Sequence, residues 1–374
     1  MFERLLEKEI IKTLATQKVT ILLGARRVGK TSLLNKIFES YTKPKLWLNA
    51  EDSDTKKLLE NRSITSYKLL LQFTTLLIID EAQHIPNIGL VVKLMIDEIK
   101  PLHIIITGSS AFDLAQSGYP LVGRSITQHL FAIAQQEISL KENSLQTTQN
   151  LESRLIYGSY PELLMYEPIQ QKQRYLKELV NTYLLKDILE FENIKNAAIL
   201  KKLLELIAYQ VGNEVSETEL GTTLGISKNT VARYLDLLEK VFVIFPLTGY
   251  SKNLRKEVSK SKKWYFFDNG IRNAIINNFS TIPIRQDVGQ LWENYLITER
   301  KKANAYNNNF ANSFFWRTYD MQEIDYIEEL NDNLTAFEIK WNNKKVKMPI
   351  AFANAYPKCS FTVLNKENYL NWII

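Results

Sequence analysis

Short, continuous apolar runs separated by longer mixed segments dominate the first 140 residues of the chain. A strand that is buried on both faces of a parallel sheet is apolar throughout, whereas a half-exposed strand alternates. We therefore predict an α/β unit whose parallel sheet is covered by helices on both sides. The runs that predict its strands are residues 19–23, 46–48, 76–79, 103–107 and 128–131.

The rest of the chain changes pattern several times. Residues 141–150 are polar and predict a linker, and residues 154–206 combine Leu, Tyr and Lys at helical spacing. Three helical segments then lead into two β runs at 241–247 and 264–267, and a last segment begins with a helix near residue 286 and continues with strands. We predict four domains, at residues 1–145, 146–202, 203–285 and 286–374.

Length and composition are those of a globular protein of several domains. The chain has 374 residues, of which 45% are hydrophobic and 24% charged, so disordered and fibrous classes are excluded. Its single cysteine, Cys359, excludes an internal disulfide framework and a cysteine-based zinc site. The N-terminus lacks the apolar stretch of a signal peptide, and no run approaches the roughly 20 apolar residues of a membrane helix. We predict a soluble cytoplasmic protein without a membrane partner.

A glycine-rich segment directly follows the first predicted strand and opens a helix. It reads Gly24-Ala25-Arg26-Arg27-Val28-Gly29-Lys30-Thr31, with Ser32 next. This is the spacing G-x-x-x-x-G-K-[ST] of a phosphate-binding loop, in the strand and helix context that the motif requires. Backbone N–H groups of such a loop wrap the phosphates of ATP, Lys30 supplies a cation to them, and Thr31 offers a hydroxyl to Mg²⁺. The alternative is a chance glycine-rich turn.

Two further strand ends carry polar residues that suit the same site. The apolar run at 76–79 ends in Asp80 and Glu81, which predicts a Mg²⁺ ligand and a carboxylate that polarises the attacking water. The run at 104–107 leads to Ser109, whose hydroxyl could sense the γ-phosphate. By itself this last segment is equally consistent with an ordinary loop.

These segments resemble the Walker A, Walker B and sensor 1 motifs of the AAA+ superfamily of P-loop ATPases. More narrowly, Gly123-Arg124, Gln136-Glu137 and residues 158–162 resemble the archaeal and bacterial AAA ATPases that carry a C-terminal domain of unknown function, DUF4143. The resemblance implies a P-loop NTPase core with a helical lid, followed by a winged helix and a restriction-endonuclease-like domain. It also makes Arg124 a candidate γ-phosphate-sensing or trans-acting arginine, although the segment after Arg124 lacks the family's proline. A surface salt-bridge arginine is the alternative.

A helix, a tight turn and a second helix are predicted over residues 217–235. Ser227 would cap the second helix, and Val231, Leu235 and Leu238 would face the core. The outward residues are then Lys228, Asn229, Thr230 and Arg233, which are residue types that read DNA grooves.

A basic loop follows this helix pair and holds much of the chain's net charge of +6. Its cations are Lys252, Arg255, Lys256, Lys260, Lys262 and Lys263, against Glu257 alone. A basic wing beside a recognition helix favours DNA as a partner through phosphate contacts. Docking of a protein is the alternative, because many winged helices bind proteins.

The C-terminal segment predicts a β-hairpin with a charged edge. Asp325 on the first strand would approach Glu338 on the second, where Lys340 shares the face of Glu338. Carboxylates so placed need a cation, and Mg²⁺ is the natural candidate. With Glu293 in the preceding helix, the pattern resembles the PD-(D/E)XK nuclease fold. An ordinary amphipathic hairpin is the alternative.

The sequence thus predicts an ATPase that uses ATP and Mg²⁺ and is coupled to DNA binding, with DNA cleavage or remodelling as the output. The alternative is a nucleotide-gated switch or scaffold with an inactive nuclease-like domain. Its partner would be DNA, another protein or a second copy of the chain.

Overall fold

The computed structural model describes residues 2–61, 63–109, 121–184, 197–251, 262–318 and 321–374. The chain divides into two compact units. The first unit contains Met1–Ile133 and Lys240–Phe242, and the second contains Ala134–Glu239 and Val243–Ile374. Each unit is built on its own β-sheet.

The first unit is a parallel α/β sheet. Its strands are β1 (Val19–Leu23), β2 (Lys45–Asn49), β3 (Leu76–Asp80), β4 (His103–Gly108) and β5 (Ser125–His129). They lie in the order β2-β3-β4-β1-β5, and every neighbouring pair is parallel. The helices are α1 (Leu6–Thr13), α2 (Lys30–Ser40), α3 (Ser53–Glu60), α4 (Ile64–Leu70) and α5 (Ile88–Glu98), with a 3-10 turn at Ala82–His84. The predicted parallel sheet is confirmed.

Burial explains where the strand prediction was accurate. Strands β1 and β3 are buried at every position, and both were predicted from continuous apolar runs. The edge strand β5 begins at Ser125, and its positions are half-buried or exposed. Because its first residues include polar ones, the start of the strand could not be recognised from hydrophobicity. The run at 128–131, from which the strand was predicted, therefore marked only the end of this strand.

The second unit combines helices with a mixed sheet. Its helices are α6 (Gln135–Ile138), α7 (Ser144–Tyr157), α8 (Ile169–Glu178), α9 (Ala197–Tyr209), α10 (Glu217–Leu224), α11 (Lys228–Lys240), α12 (Asn269–Ile275), α13 (Val288–Tyr306), α14 (Ile350–Ala355) and α15 (Leu370–Ile373). A π-helical turn at Leu179–Leu184 and a 3-10 turn at Ile282–Ile284 complete them. Across the described ranges, neither unit contains a helix that is long and apolar enough to cross a membrane.

Seven strands form the sheet of the second unit. They are β6 (Glu214–Val215), β7 (Ile244–Gly249), β8 (Lys262–Phe266), β9 (Asn312–Arg317), β10 (Glu323–Leu330), β11 (Asn333–Ile339) and β12 (Ser360–Leu364). Their order is β12-β11-β10-β9-β7-β8-β6, with parallel pairs at β7 with β9 and at β11 with β12. Strands from both sides of the domain boundary predicted at residue 285 therefore share one sheet.

The predicted hairpin forms between β10 and β11. Tyr326 pairs with Phe337, and Leu330 pairs with Asn333 across a two-residue turn. Asn331 and Asp332 occupy this turn with φ of 49° and 63°. These residue types tolerate positive φ at the centre of a tight hairpin, so the turn fixes the register of the two strands.

The predicted helix, turn and helix are also present. Gly225 ends α10 with φ of +66°, and Ser227 accepts a hydrogen bond of 3.1 Å from the N–H of Thr230 at the start of α11. Val231, Leu235 and Leu238 are buried, as predicted from their spacing.

The linker predicted at residues 141–150 is wrong. Most of this segment forms the first turns of α7, and Asn143 and Gln146 make a capping box with reciprocal bonds of 2.9 Å. Polar residues at a helix start satisfy the free N–H groups there, so they look like a loop when composition alone is read.

Candidate functional site

The glycine-rich loop joins the carboxyl end of β1 to the first turn of α2. Gly24 has no room for a side chain, because a Cβ there would stand 2.1 Å from the carbonyl oxygen of Leu130. Gly29 precedes α2 with φ of +97°, a conformation that side chains disfavour. Both glycines are thus required by the tight turn. Of the other loop residues, Ala25 and Arg26 are half-buried, Val28 is buried, and Arg27, Thr31 and Ser32 are exposed.

Parallel pairing brings the predicted nucleotide residues to one edge of the sheet. Strands β3, β4 and β1 are neighbours, and Leu23 pairs with Gly108 at their carboxyl ends. The loop follows β1, Asp80 is the last residue of β3, and Ser109 follows β4. Ligands of open α/β sheets bind at this edge.

Lys30 opens α2, and its side chain folds back over the loop. Its ammonium donates hydrogen bonds of 2.8 Å to the carbonyl oxygen of Gly24 and 3.1 Å to that of Ala25. The residue is only 5% exposed. These bonds place a cation at the loop, where phosphate oxygens would compete for it.

Asp80 connects three elements of the site through its carboxylate. Thr31 Oγ1, from α2, donates to Oδ2 over 3.0 Å, and Thr107 Oγ1, from β4, donates to Oδ1 over 2.5 Å. Thr107 Oγ1 also accepts a bond of 2.9 Å from the N–H of Glu81. Thr107 therefore orients both acidic residues, a role that sequence reasoning missed. A signal existed, because Thr107 is a polar residue at the end of an apolar strand.

Glu81 begins the turn after β3 with φ of 53°, a left-handed backbone that is uncommon for glutamate. Its Oε2 accepts a bond of 2.6 Å from the side-chain amide of Gln83. The same amide nitrogen lies 3.3 Å from Ser109 Oγ, and Ser109 is buried. Gln83 thus connects the predicted sensor residue to the predicted catalytic carboxylate.

Arg124 does not lie in this site. Its carbonyl oxygen accepts a bond from the N–H of Val19, at the amino end of β1. That end is roughly 13 Å along the strand from Leu23, at about 3.3 Å per residue. Its guanidinium instead pairs with Asp97 over 2.7 Å on an exposed surface. The prediction that Arg124 senses the γ-phosphate within its own chain is therefore wrong, whereas a role in trans stays a prediction.

The predicted DNA-reading residues lie on the outer side of α11. Lys228, Asn229 and Arg233 are exposed, whereas Thr230 is half-buried and its hydroxyl lies 2.9 Å from that of Ser227. Lys252, Arg255 and Lys256 lie outside the described residues. The assignment of Lys263 to the basic wing is wrong, because Lys263 is 1% exposed and donates a hydrogen bond to Glu323.

The C-terminal residues come together as the hairpin predicts. Lys340 Nζ lies 2.6 Å from Glu338 Oε1 and 3.4 Å from Asp325 Oδ2. Asp325 Oδ2 also accepts a bond of 2.7 Å from the N–H of Ile339. Asp325 and Glu338 are both about 8% exposed, so their charges are largely removed from water.

A second lysine joins this cluster from strand β8. Lys263 Nζ lies 3.9 Å from Glu293 Oε1, which also accepts a bond of 2.6 Å from the hydroxyl of Tyr265. Burial raises the pKa of Glu293 to about 7, although Lys263 opposes this shift. Burial likewise raises the pKa of Glu338, and the neighbouring Asp325 adds to the effect. Burial lowers the pKa of Lys340, but Asp325 and Glu338 outweigh it, so its pKa lies above the usual value.

The prediction of a second Mg²⁺ site at Asp325 and Glu338 is not supported. In the described ranges, no three His, Cys, Asp or Glu side chains are grouped so that they could hold a metal ion. Lys340 lies between the two predicted ligands, and Glu293 is bonded to Tyr265 and faces Lys263. Lysine ammonium groups thus supply the countercharge that the sequence assigned to Mg²⁺.

Three regions of the chain match known domain families. Residues 16–139 match the AAA domain, residues 148–281 match a domain of unknown function, DUF8612, and residues 288–371 match another, DUF4143. The uncharacterized protein MJ1544 of Methanocaldococcus jannaschii is 24% identical, over 92% of this chain and 82% of its own. An uncharacterized protein of Mycobacterium tuberculosis is also 24% identical, over 86% of this chain and 70% of its own.

A solved structure supports the fold. The Walker-type ATPase paby2304 of Pyrococcus abyssi aligns with a TM-score of 0.50 and 15% identity, over 74% of this chain and 96% of its own. At this identity the likeness concerns the fold alone. An AAA domain implies nucleotide binding, in agreement with the phosphate-binding loop described above. The chain is therefore similar to an AAA domain over residues 16–139 and to two successive domains of unknown function, DUF8612 and DUF4143, over most of the remainder.

Proposed function

We propose that this chain binds ATP at the glycine-rich loop and hydrolyses it with Mg²⁺. The observation that carries the proposal is the 3.0 Å contact between Thr31 Oγ1 and Asp80 Oδ2. It brings a hydroxyl of the loop and a carboxylate of β3 to the same edge of the sheet. These hard oxygen donors, adjacent to a phosphate-binding loop, fit Mg²⁺.

Each residue of the site has a separate role in binding or hydrolysing ATP. The loop N–H groups and the start of α2 bind the phosphates, and Lys30 exchanges its carbonyl partners for phosphate oxygens. Thr31 and Asp80 would hold Mg²⁺, which supplies charge neutralisation when bound. Glu81 orients the attacking water or accepts a proton from it. Gln83 and Thr107 hold Glu81 in place. Ser109 is the hydroxyl that faces the γ-phosphate.

ATP turnover of the Lys30→Ala variant tests this proposal. We expect turnover to be abolished while the circular dichroism spectrum and the melting temperature stay close to those of the unchanged chain. Lys36→Ala is a matched control, because Lys36 lies on the same helix and is half exposed. Equal turnover in Lys30→Ala and the unchanged chain would rule the proposal out.

A second candidate function is binding of duplex DNA by α10 and α11. It is favoured by the exposed Lys228, Asn229 and Arg233 on a helix whose opposite face is buried. Binding should weaken with added salt, and Lys228→Ala should reduce the salt slope by about 1 if Lys228 contacts a phosphate. No binding at low salt would favour a protein partner or a second copy of the chain instead. Cleavage of DNA is not proposed, because lysines already pair with the carboxylates of the C-terminal cluster.

A further inference from the structure

Arg4 lies just before α1 and bridges two distant backbone carbonyls. Its Nη1 donates to the oxygen of Val28 over 2.7 Å, and its Nη2 donates to the oxygen of Phe131 over 2.6 Å. The residue is 9% exposed. One partner lies inside the phosphate-binding loop, and the other follows the end of β5. A planar guanidinium is suited to such a two-point contact, because its N–H groups form a rigid fork.

Helix α1 is attached to the unit without Arg4. Thr13 Oγ1 lies 2.6 Å from Thr20 Oγ1 on β1, and Lys36 Nζ on α2 lies 2.7 Å from Glu7 Oε2. Leu6 and Ile10 are also buried. Helix α1 therefore has several attachments besides Arg4, and anchoring α1 does not by itself explain why the guanidinium is buried between two backbone carbonyls.

The contact with Val28 sets the direction of one peptide group in the loop. In a planar trans peptide, the C=O of Val28 and the N–H of Gly29 point in opposite directions. A guanidinium that holds the Val28 oxygen therefore also fixes the direction of the Gly29 N–H, which points away from Arg4. It also polarises this peptide, which strengthens the N–H as a donor to an anion.

The contact with Phe131 fixes the neighbouring backbone against the loop. Leu130 donates its N–H to the oxygen of Leu23 over 2.8 Å, and its own carbonyl fills the space beside Gly24. The Arg4 fork thus holds the far end of the loop to the same segment that contacts its near end. Gly29, with φ of +97°, lies between the anchored carbonyl of Val28 and the first residue of α2.

We propose that Arg4 is a positioning residue for the nucleotide, which holds the 28–29 peptide in the orientation that binds phosphate. The proposal rests on the proposed ATP site at this loop. Without the fork, the loop is ordered only when the nucleotide binds, so part of the binding free energy is lost to ordering. Because the loop is used equally before and during hydrolysis, the loss falls on KM rather than on kcat.

Steady-state ATP hydrolysis by Arg4→Met, together with titration of ADP, tests the proposal. We expect KM for ATP and Kd for ADP to rise by the same factor, about tenfold, while kcat stays within about twofold. Arg4→Lys can reach only one carbonyl with a comparable bond and should give an intermediate KM. Lys36→Met is the matched control, since it breaks the ion pair between α2 and α1 but leaves the loop intact, and its KM should not change.

A positioning residue and a purely structural residue give different kinetic results. A structural loss lowers the melting temperature and the folded fraction, so kcat falls while KM is unchanged, and that result would refute a positioning role. If Arg4→Met fails to fold, Arg4→Lys decides by the same criterion. An unchanged chain that binds no ADP or ATP would overturn the ATP site as well, whereas normal ADP binding by Arg4→Met would overturn this inference alone.

Discussion

The two charged sites of this protein contain similar acidic residues, but different groups contact their carboxylates. In the first unit, Asp80 accepts hydrogen bonds from the hydroxyls of Thr31 and Thr107. In the second unit, Asp325 and Glu338 both lie within 3.4 Å of the ammonium of Lys340. A hydroxyl brings no charge, so the carboxylate of Asp80 keeps its attraction for a cation, whereas Lys340 already compensates its neighbours.

A group of acidic side chains and a lysine is therefore not by itself a metal site. Whether the carboxylates can bind a metal ion depends on which group balances their charge in the folded chain. At the glycine-rich loop, the lysine is bonded to the carbonyls of Gly24 and Ala25, which phosphate oxygens can replace. In the C-terminal cluster, the lysines face carboxylates, and replacing them would separate charges that are largely buried.

The largest effect is expected from removing the charge of Asp80. Asp80→Asn should lower kcat for ATP hydrolysis by about 10²- to 10³-fold, because the Mg²⁺ that would neutralise the phosphate charge loses a ligand. Binding of ADP without Mg²⁺ should change little. The corresponding change in the other site, Asp325→Asn, should leave kcat within about twofold. Equal losses of kcat in the two variants, measured in one steady-state assay, would show that the two carboxylates do not differ in their role in ATP hydrolysis.

A smaller effect on the same site is expected at Thr107. Thr107→Val keeps the shape of the side chain but removes the hydroxyl that donates to Asp80 and accepts from Glu81. We expect kcat to fall about tenfold, since a hydrogen bond to a charged group contributes about 1.5–3 kcal/mol. Thr107→Ser should restore most of the rate. A rate in Thr107→Val equal to that of the unchanged chain would show that Asp80 needs no such support.

The C-terminal cluster should appear in stability rather than in turnover. Burial raises the pKa of Glu293 from 4.5 to about 7, so the folded chain holds a proton there that the unfolded chain releases. The stability that the neutral form contributes is complete below about pH 4.5 and is lost as the pH rises to about 7. The side chain of Glu293→Gln cannot titrate. Its free energy of unfolding, measured with urea, should therefore rise by about 1–3 kcal/mol relative to that of the unchanged chain as the pH increases from 5 to 8.

The control for this prediction is Glu152→Gln, which replaces an exposed carboxylate on α7. Its stability relative to the unchanged chain should show no comparable trend between these pH values. If Glu293→Gln also shows no trend, the carboxylate of Glu293 is charged throughout this pH range and holds no proton in the folded chain.

The smallest effect is expected at Lys340, whose side chain is 33% exposed. Lys340→Met leaves Asp325 and Glu338 without their shared ammonium, so we expect a loss of about 1 kcal/mol at pH 8. The loss should shrink at pH 5, because the raised pKa of Glu338 rises further in this variant and protonation relieves the repulsion. A loss that grows toward acid pH would contradict the proposed pairing.

Much of the first site could be predicted from the sequence because its signals are local. Gly24, Gly29, Lys30 and Thr31 lie within eight residues, and their strand and helix context is readable from the apolar pattern. The hairpin and the buried face of α11 were predictable for the same reason, since alternation and helical spacing are properties of short segments.

The missed features depend on residues that are far apart in the chain. Arg4 meets its partners over 24 and 127 residues, and no pattern near Arg4 indicates them. Lys263 looked like part of a basic loop, but its charge is paired with Glu323, 60 residues away. Arg124 was misplaced because its position at the amino end of β5 depends on where that edge strand begins. Long-range pairing of charges requires the fold itself.

The nucleotide site at the glycine-rich loop is tested most directly by calorimetric titration of the chain with a non-hydrolysable ATP analogue and Mg²⁺. We expect one nucleotide per chain, no detectable binding to Lys30→Ala, and unchanged binding to Lys340→Met. Binding that survives Lys30→Ala, or that is lost in Lys340→Met while the chain stays folded, would show that the nucleotide site is not the glycine-rich loop.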